Sequence, residues 1–109
     1  MKFKFKITED TTLEDALEEI DALCKANTVN IPLNHILRIT NFIGIELAED
    51  QKSGSMIRFK HSNVKTYGGY FGVHIVHKGK QDKQVSRLDF KRYLYPILVQ
   101  IIESQQKNK

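Results

Sequence analysis

The chain is predicted to be an α+β domain: a three-stranded antiparallel sheet with helices on one face, preceded by an N-terminal strand and helix extension. Three observations predict it. Apolar residues recur at helical spacing in three stretches, following Thr12, Pro32 and Ser86. Alternating or β-branched runs cover Ile45–Ala48, Met56–Lys60 and Tyr70–His77. Short polar and glycine segments separate these runs, so they form a meander whose one face the helices bury.

In chain order, Lys2-Phe3-Lys4-Phe5-Lys6-Ile7 alternates without a break, so a strand there puts Phe3, Phe5 and Ile7 on one face and three lysines on the other. Such a lysine row protects a sheet edge from aggregation, and in a binding protein it tracks phosphates; edge protection is the simpler reading. Thr12 offers an N-cap hydroxyl with Asp15 three residues on. Leu13, Ala16, Leu17, Ile20, Leu23 and Cys24 then trace a helix over about 12–26 whose acids cluster near its start. Pro32 suits a first helical position, with Leu33, Ile36, Leu37 and Thr40 as a stripe ending near Gly44. The Glu49–Gly54 turn then links two strands of a hairpin, and Ser62–Gly69 leads into the third. After Lys78-Gly79-Lys80, Ser86 and Asp89 form a second capping pattern. Phe90, Leu94, Ile97, Leu98, Ile101 and Ile102 share one face of a closing helix, in which Pro96 forces a kink or break near Tyr95.

With 109 residues, 40% of them hydrophobic and 28% charged, the chain fits one domain. A domain of this size buries roughly 65% of its unfolded surface, too little for a deep cofactor cleft between domains. No cofactor is expected. No run reaches the roughly 20 apolar residues of a membrane span, which leads to the expectation of a soluble cytoplasmic protein without a membrane partner. Cys24 stands alone, so neither an internal disulfide nor a zinc knuckle is expected, and a small buried side chain is its simplest role.

The net charge of +4 conceals a strong asymmetry. Residues 1–55 hold six Lys and Arg against ten Asp and Glu, a net of −4, whereas residues 56–109 hold eleven against three, a net of +8. The basic part attracts a polyanion; the acidic helix either repels one or pairs with a basic protein.

Alternation places Arg58 and Lys60 opposite Ile57 and Phe59, hence outward if the latter are core. Lys65, Lys78, Lys80, Lys83, Arg87, Lys91 and Arg92 extend the basic character. Of the four histidines, His77 stands beside Lys78-Gly79-Lys80, where an imidazole could meet a phosphate whose charge the lysines stabilise. His74 and His77 differ in parity on a strand, which argues against a two-histidine metal site. No phosphate-loop, Gly-x-Ser-x-Gly, His-Glu-x-x-His or paired-cysteine motif occurs. Tyr67, Tyr70 and Phe71 have ring faces suited to stacking on unpaired bases, although sheet packing is the commoner role of such residues.

From Leu33 to about Ile102 the sequence resembles the HicA (YcfA-like) toxins of bacterial toxin-antitoxin pairs. The matching features are the helix ending at Gly44, the Ser53-Gly54-Ser55 turn into Ile57-Arg58-Phe59, a strand ending in His77 followed by Lys-Gly-Lys, and the closing helix. The resemblance implies a double-stranded-RNA-binding-domain-like fold over residues 31–104, with 1–30 as the extension and 105–109 as a disordered tail. It also implies an RNA target, metal-independent cleavage of mRNA, and an antitoxin protein as partner. His77 is then the catalytic candidate, with Arg58, Lys60, Lys78, Lys80 and Arg87 as RNA contacts. One departure stands out. Where such toxins carry a Gly-Ser-His element with the catalytic histidine, this chain has Gly54-Ser55-Met56, and a thioether transfers no proton. The competing expectation is a non-catalytic protein-interaction module that uses the acidic helix and the edge strand at 2–7.

Overall fold

A computed structural model describes residues 7–25, 30–48, 56–64, 67–77 and 83–107. The expected strand at 2–7, apart from Ile7, and the turn at 53–55 lie outside the described residues, as do Lys65, Lys78 and Lys80.

Helix α1 spans Leu13–Lys25. It starts with a reciprocal capping box: the Thr12 N–H donates to Asp15 Oδ2 at 2.9 Å and the Asp15 N–H donates to Thr12 Oγ1 at 3.1 Å. Ala16, Ile20, Leu23 and Cys24 are its buried stripe, and they belong to the same hydrophobic cluster as the rest of the chain. Strand β1 (Asn30–Pro32) runs directly into helix α2 (Leu33–Phe42), so Pro32 stands just before the first helical turn and not within it. Helix α2 closes with a Schellman motif. The Gly44 N–H reaches Asn41 O at 3.1 Å and the Ile45 N–H reaches Thr40 O at 2.9 Å, while Gly44 takes the left-handed φ of 82° that glycine adopts freely.

Strands β2 (Glu46–Leu47), β3 (Met56–Lys60) and β4 (Tyr70–His74) form the expected three-stranded antiparallel sheet. Its register pairs Ile57 with Val73, Phe59 with Phe71, Arg58 with Gly72, Lys60 with Tyr70 and Met56 with His74. Residues directly opposite one another share a face. Ile57, Phe59 and Val73 are buried, and the Phe59 and Phe71 rings stack with centroids 5.4 Å apart.

The run Tyr70–His77 is not one strand. It breaks at Ile75, and β5 (Val76–His77) joins a second antiparallel sheet of order β1-β6-β5, where β6 spans Lys83–Ser86. Neither β1 nor β6 was anticipated. Ser86 pairs with Asn30 in this sheet, and its side chain makes no capping bond to the closing helix, contrary to the pattern it forms with Asp89.

The closing helix has three parts: α3 (Arg87–Asp89), a π turn (Phe90–Leu94) and α4 (Tyr95–Lys107). The reason lies in Pro96, which has no N–H to give to the carbonyl four residues back. The helix widens, and the Tyr95 N–H bonds to Phe90 O five residues back. Of the predicted stripe, Phe90, Leu94, Leu98, Ile101 and Ile102 are buried, and Ile97 is half-buried against them. Each buried side chain contributes roughly 1.5–3 kcal/mol by leaving water. Gln105 donates to Ile43 O at 2.6 Å, tying the last turns of α4 to the end of α2. No helix among the described residues is long and apolar enough to cross a membrane.

Candidate nucleic-acid interface

The face of the β2-β3-β4 sheet opposite Ile57, Phe59 and Val73 carries Met56, Arg58 and Lys60 from β3 and Tyr70, Gly72 and His74 from β4. Strand alternation alone produces this, because burying Ile57 and Phe59 turns their neighbours outward. Arg58, Lys60, Tyr70 and His74 are all exposed. The Lys60 ammonium lies 5.4 Å from the Tyr70 ring centroid, close enough for a cation–π contact. Glu46 of β2 stands opposite Lys60 in the register, one early carboxylate beside the cations.

A groove of about 350 Å³ opens on this face. Met56, Arg58, Tyr70 and Gly72 line it from the sheet, Phe71 joins them, and Tyr93 and Ile97 close it from the last helix. Arg58 is its one charged lining residue among the described residues, and no carboxylate lines it. Tyr93 is 47% exposed, and the Arg92 guanidinium lies 6.0 Å from its ring centroid. A second cavity of about 770 Å³ lies between α2 and β2, where Arg38 shares the lining with Glu46 and with the amides of Asn34 and Asn41. Opposite charges meet there, so it lacks the one-sided character of the sheet groove.

The residues singled out in the sequence separate into groups. Arg58 and Lys60 sit together on the open face. His77 lies on β5 of the other sheet, in register with Lys83, while Lys78 and Lys80 lie outside the described residues. Arg87 is committed in part to the fold: its guanidinium donates to Cys24 O at 2.8 Å, at the C-terminal end of α1, where a cation also favours the helix dipole.

The other histidines have different surroundings. His35 is 3% exposed, and its Nε2 lies 2.7 Å from Glu19 Oε2, joining α2 to α1. His61 accepts the Asn63 N–H on Nδ1 at 3.1 Å, and burial pushes its pKa down, with Glu46 opposing weakly from the other direction. His74 is exposed on the sheet face in register with Met56. Cys24 is buried and free, its thiol pushed up by burial and by Asp21. No cluster of metal-ligating side chains occurs among the described residues.

Tyr93 was not legible as part of a site, because it falls off the apolar stripe of its helix and the sequence says nothing of which strand that helix passes. Tyr70 was legible as a ring, and its exposure followed from the alternation of β3 once its register partner was known. Comparison with family models, with curated proteins and with solved structures finds no match.

Proposed function

We propose that this protein binds RNA through the open face of the β2-β3-β4 sheet. The observation that carries the reading is the register that gathers Arg58, Lys60, Tyr70 and His74 on one exposed face, with Glu46 opposite Lys60 and with no carboxylate among the described residues that line the groove beside Arg58 and Tyr70. Guanidinium and ammonium groups neutralise phosphates without regard to sequence, and they supply most of the affinity of such a surface. Apart from β5 and β6, which intervene before the closing helix, the order of α2, β2, β3, β4 and the closing helix supports a double-stranded-RNA-binding-domain-like reading of residues 31–104, and with it the likeness to HicA toxins.

The reading stops at binding. Met56 opens β3 on the exposed face where those toxins carry a histidine, and its thioether moves no proton. The sequence candidate for that role, His77, belongs to the other sheet from Arg58 and Lys60.

The test is the salt dependence of affinity for a fluorescein-labelled RNA, followed by anisotropy. Affinity falls linearly on logarithmic axes as salt rises, and Arg58→Ala and Lys60→Ala each reduce that slope by about 1. Binding that ignores salt, or an undiminished slope in both variants, contradicts the proposal and favours a protein-docking role.

A further inference from the structure

We propose that the groove on this face takes one unpaired nucleobase, so that the RNA target is single-stranded at the point of contact. The inference rests on the RNA-binding reading above and adds the form of the ligand.

The first observation is the floor of the groove. Gly72 faces Arg58 across the β3–β4 ladder, and a β-carbon at 72 would come within 2.5 Å of the Ile57 carbonyl oxygen and 3.3 Å of the Met56 Cε. The glycine leaves a gap in the outward row that no other side chain at this position fills, with Met56 and Phe71 as apolar neighbours. The cavity of about 350 Å³ lies at the small end of the range for small-ligand sites. It suits a flat ring and not the width of a duplex.

The second observation is the pair of tyrosines. Tyr70 comes from the sheet and Tyr93 from the closing helix, they are 42% and 47% exposed, and both line the groove. Each ring has a cation against it, Lys60 at 5.4 Å and Arg92 at 6.0 Å. Exposed rings flanked by cations along a positive groove are the elements that hold single strands: bases stack on the aromatic faces while the cations follow the backbone. A base inside a duplex has both faces covered by its neighbours, so contact with a tyrosine ring requires it to be unstacked. An apolar peptide side chain would also fit the cavity, but Arg58 in the lining, Lys60 and Arg92 against the two rings, and no carboxylate among the described residues of the lining favour a polyanion.

Binding of a labelled single-stranded RNA is compared with binding of the same sequence annealed to its complement, for the wild type, Tyr93→Ala, Tyr93→Phe and Lys60→Ala. Tyr93 is exposed on a helix, so its truncation leaves the core intact. The single strand binds more tightly than the duplex. Tyr93→Ala weakens it by about tenfold, within the range for loss of one stacking platform, without changing the salt slope, and Tyr93→Phe restores it. If duplex and single strand bind equally and Tyr93→Ala has no effect while Lys60→Ala still weakens binding, the base-insertion proposal fails and RNA binding stands. If neither RNA binds at any salt, both fail.

Discussion

Gly72 lies so close to Ile57 on the neighbouring strand that a β-carbon at 72 would sit 2.5 Å from the Ile57 carbonyl oxygen. The atom in the way is backbone, held in a ladder between buried Ile57 and Phe59, and it cannot swing aside as the end of a side chain can. Gly72→Ala therefore pushes β4 away from β3 and is expected to destabilise the fold by about 1–3 kcal/mol, the usual range for an overpacked site. A lowered urea midpoint at unchanged slope confirms it. An unaltered midpoint would contradict this close approach of the two strands.

At the other end of the chain, the reciprocal bonds between Thr12 and Asp15 satisfy two N–H groups at the start of α1. Thr12→Ala removes the hydroxyl that caps Asp15 and is expected to cost about 1 kcal/mol. The loss reaches the whole domain, because Ile20 and Leu23 of this helix are buried in the common core. Global unfolding measured by circular dichroism checks this; melting of helical signal ahead of the sheet would show that α1 is an independent appendage.

His61 makes the fold sensitive to acid. Burial lowers its pKa and its Nδ1 accepts the Asn63 N–H, so the folded state favours the neutral ring. Between that lowered value and the ordinary imidazole value of about 6.5, the unfolded chain binds more protons than the folded one, and stability falls as pH drops through this window. Above about pH 6.5 the contribution is complete. Urea midpoints at about pH 5 and about pH 7.5, either side of the ordinary value, are expected to differ more in the wild type than in His61→Gln. Equal differences contradict the assignment.

How much of this was legible in the sequence depends on the range of the interaction concerned. The capping box at Thr12, the glycine stop at Gly44 and the outward turn of Arg58 and Lys60 arise within a few residues, and periodicity shows them directly. The second sheet does not arise locally. Strand β1 is the tripeptide Asn30–Pro32, and its partner β6 pairs Asn30 with Ser86, so neither has a local pattern to distinguish it from a loop. The continuous run from Tyr70 to His77 concealed the break at Ile75 for the opposite reason, since both halves have strand composition but pair with different partners. Pro96 announced a disruption; the π turn is the form that lets Phe90 and Leu94 both remain buried. For the site, the sequence supplied the cations and the rings of Tyr70 and Phe71, and only the passage of the closing helix beside β4 brings Tyr93 to them.

RNA binding on the exposed face of β3 and β4 is the central proposal. Amide chemical-shift mapping of the labelled protein, titrated with a short single-stranded RNA, tests this most directly. The largest shifts are expected on Met56–Lys60, on Tyr70–His74 and around Tyr93. Shifts concentrated on α1 or α2, with these strands unmoved while RNA is bound, would contradict it.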